Sequence, residues 1–126
     1  MKHIKTGKKR GKFNLLANTR ELQAGMMTLR SGGASDDEPS NEHSSSEQWL
    51  FIIAGSGEAK IGKRRGQLRR VKLETGSLLV IEKGELHQIL NTGKRSLRTI
   101  NFYVPPAYDS EGEPVGTLRR YLGAMG

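Results

Sequence analysis

The chain contains no cysteine, few aromatic residues and no long apolar run. The absence of cysteine excludes disulfides, thiolate zinc sites and cysteine nucleophiles. The longest apolar runs, 49–54 and 78–81, are as long as a strand and far short of the roughly 20 residues that a membrane helix needs. The basic start of the chain has no apolar stretch behind it like that of a secretory signal, so we expect a cytoplasmic protein.

Residues 1–12 carry six cations and no acid, which accounts for +6 of the formal net charge of +8. This stretch has little apolar surface to offset the roughly 1 to 2 kcal/mol per residue that ordering a backbone costs. We therefore predict a flexible basic arm over 1–12, followed by one domain over 13–126, which is close to the commonest domain size. A second basic cluster, 60–72, flanks two glycines and indicates a solvated hairpin.

Nucleic acid is the partner that a basic chain first suggests. Only 6% of the residues are aromatic, and none lies within the 60–72 cluster, so bases have no stacking platform there. We expect binding to nucleic acid to be at most non-specific, through the arm, and to weaken steeply with salt.

The most informative stretch is 76–91, which places one imidazole at fixed distances from two glycines and an asparagine: GSLLVIEKGELHQILN. It predicts a turn at Gly76, a strand over 77–81, a turn at Gly84 and a second strand from Leu86. Because side chains alternate along a strand, His87, Ile89 and Asn91 share one face. The spacing resembles the second motif of the cupin family, G-x5-P-x-G-x2-H-x3-N, with Glu82 at the place of the proline.

The stretch 41–55 resembles the first cupin motif, G-x5-H-x-H-x3 or 4-E-x6-G, in part. His43 occupies the place of the second histidine, and Asn41 that of the first. The carboxylate position falls on Glu47 by its distance from His43, and on Gln48 by its distance from Gly55. Adjacent strand residues point to opposite faces, so one of the two should face the interior, and the count to Gly55 favours Gln48.

The resemblance implies an all-β protein, a small antiparallel double-stranded β-helix of the jelly-roll type with an interior that often holds a divalent metal. Two imidazoles and a carboxylate suit a divalent first-row metal such as iron, manganese, nickel or zinc. The candidate ligands are His43, His87, Gln48, Glu47 and Asn41. The acidic run Asp36, Asp37, Glu38, Glu42 and Glu47 corresponds to a loop at the cavity mouth, where it would favour cations and disfavour anionic substrates.

Two functions follow from this resemblance. One is a barrel that binds a divalent metal in its cavity and acts on or binds a small organic molecule. The alternative is a metal-free module that binds or senses a small molecule such as a sugar. The pattern identifies no catalytic residue, and many activities share the barrel.

The family resemblance also predicts a homodimer that pairs through an outer sheet. Four aromatic residues are expected to give the chain more large apolar surface than one thin barrel can bury: Trp49, Phe51, Tyr103 and Tyr108. Elsewhere the pattern predicts strands over 22–30 and 97–104, and a short helix over 117–122.

Overall fold

The structure, a computed structural model, describes residues 1–7, 9–41, 44–109 and 114. The predicted helix at 117–122 and the predicted ligand His43 lie outside these residues. The described residues form eight strands and one short 3-10 helix at Arg65–Gln67. The strands are β1 Phe13–Asn18, β2 Gln23–Leu29, β3 Glu47–Ala54, β4 Gly57–Gly62, β5 Arg69–Leu73, β6 Leu78–Ile81, β7 Leu86–Leu90 and β8 Leu97–Val104.

The strands form two antiparallel sheets. The large sheet has the order β1-β2-β8-β3-β6, and the small sheet has the order β5-β4-β7. The predicted all-β class is confirmed, as are the strands over 22–30, 77–81 and 97–104, the strand from Leu86 and the hairpin over 60–72. Gly76 and Gly84 have positive φ angles of 92° and 87°, which is why glycine occupies those turns.

The core lies between the two sheets because each strand turns one set of alternate residues inward. In β8, for example, every second residue from Leu97 to Tyr103 is buried, and the residues between them are partly exposed. The main apolar cluster consists of Met27, Leu29, Leu50, Ile52, Ala59, Leu73, Ile89 and Leu97. The described residues contain no helix with the length and apolarity needed to cross a bilayer.

Strand β1 begins at Phe13, immediately after the predicted basic arm, and pairs with β2. Within the arm, the Lys2 Nζ donates a hydrogen bond to the Asn18 carbonyl oxygen at 3.1 Å, and an Arg98 Nη2 donates to that of Thr6 at 3.4 Å. The Thr28 N–H donates to the Lys12 carbonyl oxygen at 2.8 Å, which fixes the end of the arm against β2. The flexibility of the rest of the arm stays a prediction.

Candidate functional site

A cavity of about 190 Å³ opens between the two sheets. It receives residues from β1, β2, β3, β7 and β8 and from the segment that precedes β3. The lining residues are Lys12, Phe13, Met27, Ser35, Asp36, Gln48, His87, Ile89, Asn101, Tyr103 and Tyr108. The predicted face of β7 is therefore the interior face, since both His87 and Ile89 line the cavity.

His87 is 5% exposed and belongs to the cavity wall. Both backbone groups of His87 are hydrogen-bonded to Ser40. The His87 N–H donates to the Ser40 carbonyl oxygen at 2.9 Å, and the His87 carbonyl oxygen accepts from the Ser40 N–H at 3.0 Å. The ring Nδ1 lies 3.2 Å from the carbonyl oxygen of Glu85. A proton on Nδ1 makes this contact a hydrogen bond and leaves the lone pair of the neutral ring on Nε2. The main chain thus orients the imidazole.

Gln48 and Glu47 lie on opposite faces of β3, as the alternation along a strand requires. Gln48 is 4% exposed and lines the cavity. The Glu47 carboxylate instead accepts a hydrogen bond from the Trp49 Nε1–H at 2.5 Å, on the other face of the sheet. Of the two candidate ligands, Gln48 is the one directed inward.

A hydrogen-bonded row of side chains runs along the inner face of β8. The Thr99 hydroxyl donates to the Asn101 Oδ1 at 2.8 Å, and the Asn101 Nδ2 donates to the Tyr103 hydroxyl oxygen at 3.2 Å. Asn101 and Tyr103 both line the cavity, and Gln48 pairs with Tyr103 in the β3–β8 register. Neither residue was predicted to line the cavity, although the alternation over 97–104 puts both on one face.

Three aromatic rings form one wall of the cavity. Phe13 and Tyr108 have ring centroids 5.2 Å apart, and Tyr103 and Tyr108 meet edge to face at 5.1 Å. Gln23 fixes this wall, because its Nε2 donates to the Tyr108 carbonyl oxygen and its Oε1 accepts from the Tyr108 N–H. The expectation that the barrel cannot bury Tyr103 and Tyr108 was wrong: they are 2% and 9% exposed and line the interior.

Two further motif residues lie outside the cavity lining. Asn91, just beyond β7, is 3% exposed, and its Nδ2 donates to the carbonyl oxygens of Leu29 and Arg95 at 2.9 and 2.8 Å. Its Oδ1 accepts from the Gly93 N–H at 2.9 Å. Asn91 therefore ties the end of β2 to the turn that follows β7. Asn41 is partly buried and is not among the lining residues.

The described members of the acidic run differ in their position relative to the cavity. Asp36 lines it, with its carboxylate accepting a hydrogen bond from the Ser35 hydroxyl at 2.9 Å. Glu38 lies 3.7 Å from the Arg65 guanidinium of the basic hairpin, and Glu47 points to the opposite face of β3. Among the described members of the run, Asp36 is the carboxylate in the lining.

Two antiparallel sheets enclosing a cavity, with consecutive strands divided between them, define a double-stranded β-helix. Residues 25–103 match the family described as the cupin domain, and the chain belongs to that family. The matched region begins within β2 and ends at Tyr103 in β8. It includes both stretches in which the sequence resembles the cupin motifs.

Several known proteins are similar to this chain. One is uncharacterized protein YrkC of Bacillus subtilis (strain 168), which is 31% identical over 93 residues, or 73% of this chain and 47% of that protein. The chain thus spans about half the length of this curated relative. The crystal structure of BH2720 from Bacillus halodurans is 24% identical, with a TM-score of 0.73, over 81% of this chain and 76% of that one. An RmlC-like cupin family protein from Methanocaldococcus jannaschii, 19% identical, has a TM-score of 0.62 over 83% and 91%.

Proposed function

We propose that the protein binds a small polar organic molecule in the cavity and that Gln48 and His87 contact it. The observation that carries this proposal is the Oε1 atom of Gln48, which is buried and has no hydrogen-bond partner among the described residues. An unsatisfied buried acceptor costs about 1–3 kcal/mol, so a fold that retains one gains from a ligand that supplies the donor.

The lining indicates what kind of molecule would fit. A hydroxyl or amine group would donate to Gln48, and the apolar wall of Phe13, Met27 and Ile89 would cover its hydrocarbon part. The volume of about 190 Å³ is below the roughly 300–1,000 Å³ of pockets for drug-sized ligands. The ligand part inside the cavity is therefore small.

Replacing Gln48 with leucine is expected to raise the free energy of unfolding of the ligand-free protein by about 1 kcal/mol, because the unsatisfied acceptor is removed at nearly constant volume. Urea unfolding would measure this. The control is Asn101→Leu, which breaks the bonds to Thr99 and Tyr103 and should destabilise by about 1–3 kcal/mol. A loss of stability in Gln48→Leu equal to that of the control would contradict the proposed role of Gln48.

A binding experiment tests the proposal itself. Small polyols, hydroxy acids and amines would be screened for an increase in the melting temperature of the wild-type protein. We expect the compounds that raise it to lose the effect in Gln48→Leu. Compounds that stabilise both proteins equally would bind elsewhere, and the cavity proposal would then fail.

The second candidate function is a metal-dependent one, and the orientation of His87 favours it. Histidines that bind metals usually donate their other ring N–H to a carbonyl or carboxylate, and the contact between Nδ1 and Glu85 has this form. The described residues contain no group of three or more His, Cys, Asp or Glu placed to hold an ion. His87 and Gln48 would therefore need His43, whose role as a ligand stays a prediction. A bound divalent ion would supply a Lewis acid for a carbonyl or hydroxyl of the ligand.

Elemental analysis of protein purified without a metal-affinity tag decides between these candidates. If a metal is bound, we expect His87→Ala to lose its stoichiometric binding while the circular dichroism spectrum is retained. If the wild-type protein contains no metal and binds none on titration with iron, manganese, nickel or zinc, the metal candidate fails and the metal-free module remains.

We also propose that two copies pair through the outer face of the large sheet. Trp49 and Phe51 of β3 are 40% and 39% exposed, and Leu78 of β6 is 54% exposed. Each aromatic residue is flanked by apolar neighbours in the register: Trp49 by Val80 and Phe102, Phe51 by Leu78 and Ile100. Large contiguous apolar patches are rare on monomers.

Charge favours a second copy as the occupant of this apolar face. On the outer faces of β3, β6 and β8 the charged residues are Glu47 at one end and Arg98 at the other. A twofold axis through the centre of the face would bring Glu47 of each copy towards Arg98 of the other. The face is thus complementary to itself in both hydrophobicity and charge.

A further inference from the structure

A second pocket, of about 500 Å³, lies beside the cavity. Small residues make up much of its wall. The lining residues are Gly11, Lys12, Thr28, Leu29, Arg30, Gly33 and Ala34. Lys12 lines both spaces, so the second pocket adjoins the cavity.

Three chain segments form a common wall for the two spaces. The segments are 11–13, 27–30 and 33–36. In each of them, some residues line the cavity and their neighbours in sequence line the second pocket. Hydrogen bonds fix these segments: the Thr28 N–H donates to the Lys12 carbonyl oxygen, and the Gly33 N–H donates to that of Arg30, both at 2.8 Å. The two spaces are therefore adjacent along this wall, as one ligand with a part in each of them would require.

The second pocket carries two cations and no acid in its lining, Lys12 and Arg30. Within the part of the chain that the structure describes, neither cation is within ion-pair distance of a carboxylate. The basic hairpin differs, because its Arg65, Arg70 and Lys72 lie next to glutamates. Two uncompensated cations in a concave wall attract an anion, and the arginine can bind a carboxylate or phosphate through two parallel hydrogen bonds.

Two glycines, Gly11 and Gly33, line the second pocket. A Cβ at Gly33 would lie 2.9 Å from the Arg30 carbonyl oxygen, so a larger residue would have to displace the main chain beside Arg30. Gly11 has a positive φ of 89°, which lets the chain turn before Lys12. The two glycines therefore allow the backbone course from which Lys12 and Arg30 line the pocket.

We infer that the second pocket binds the anionic group of the ligand, a carboxylate or a phosphate, while the uncharged donor-bearing part occupies the cavity. This inference rests on the proposed cavity function and narrows the ligand to a small organic acid or phosphate ester. It also reverses the preference against anions that the acidic run suggested, since the cations adjoin the cavity and most of the described acids lie away from it.

Inorganic phosphate and acetate are the probes, added separately at constant ionic strength while amide ¹H–¹⁵N shifts are recorded. We expect saturable shifts at Gly11, Gly33 and Ala34, and the probe with the lower Kd identifies phosphate or carboxylate as the preferred group. Arg30→Gln should weaken binding about tenfold, because one charge-assisted contact is lost. Shifts spread over the arm and the basic hairpin would overturn the inference.

Arg20→Gln is the matched control, since it removes the same charge from an exposed residue. Arg20 lies in the turn between β1 and β2, whereas Lys12 and Arg30 flank the other end of this hairpin. The two ends are about 20 Å apart, because β1 has six residues and a strand rises about 3.3 Å per residue. We expect Arg20→Gln to bind the probe like the wild type. Equal weakening in both variants would show general attraction to a basic protein and would overturn the inference.

The cavity is tested separately with the same titration. Gln48→Leu should bind phosphate or acetate with unchanged affinity, because Gln48 is not in the second pocket. If the anion site is found but no cavity ligand depends on Gln48, the cavity proposal fails and the anion site stands. If cavity ligands bind but Arg30→Gln has no effect on anionic ones, the inference fails and the cavity proposal stands.

Discussion

Replacing Phe51 with glutamate is expected to convert the protein from a dimer to a monomer. Phe51 lies in the middle of the outer face of the large sheet, between Leu78 and Ile100 in the register. In the proposed dimer this residue is covered by the second copy, so each interface would bury two carboxylates without a partner. A buried unpaired charge costs several kcal/mol, which corresponds to a loss of affinity of more than a hundredfold.

Sedimentation velocity at micromolar concentration is the measurement. The control is Gln67→Glu, which adds the same charge on the exposed 3-10 helix of the basic hairpin, away from the outer face of the large sheet. We expect the control to sediment as a dimer, like the wild type. A monomeric wild-type protein, or a Phe51→Glu variant that remains a dimer, would refute the proposed interface.

The second large effect is expected from Asn91→Ala, which should lower the free energy of unfolding by about 2–4 kcal/mol. The Asn91 side chain is 3% exposed and makes all of its three bonds to backbone groups. Alanine would leave the carbonyl oxygens of Leu29 and Arg95 without this donor. Each lost donor to a buried group costs about 1–3 kcal/mol.

The free energy of unfolding would be measured in urea for Asn91→Ala and for a control variant, Asn14→Ala. The control shows how much stability is lost when an amide side chain is removed from an exposed position. The Asn14 Nδ2 also donates to a carbonyl oxygen, that of Arg10 at 2.7 Å, but in an exposed position. Water can replace that bond, so the control should lose less than about 1 kcal/mol. Equal losses in both variants would mean that Asn91 does not tie the segments together.

Local patterns were sufficient to predict the strands around the site. The glycine turns at Gly76 and Gly84 bound β6, and β7 with His87 follows the second turn; the structure has positive φ at both glycines. Alternation along β3 also required Glu47 and Gln48 to diverge, and they do. These predictions depend on neighbours in sequence, where the geometry of a strand or turn fixes the direction of a side chain.

The remaining cavity residues depend on the pairing of distant strands. Phe13 contacts Tyr108 across the chain because β1 lies beside β2 and Gln23 of β2 fixes the segment after β8. No spacing within the sequence indicates that contact. Asn91 shares the predicted inward direction of His87, yet it bonds to the backbone of Leu29, since β7 ends before it. The position of Asn91 in the motif therefore does not indicate whether its side chain binds a ligand or stabilises the backbone.

The basic hairpin has a consequence for how copies of the chain can meet. Its strand β5 is the outermost strand of the small sheet, and Arg69, Arg70 and Lys72 are exposed along it. An outermost strand offers unpaired main-chain groups to any other strand, and long charged side chains are a common protection against such edge-to-edge growth. Two β5 strands side by side would crowd these long charged side chains at the contact, so open-ended aggregation along this sheet is disfavoured.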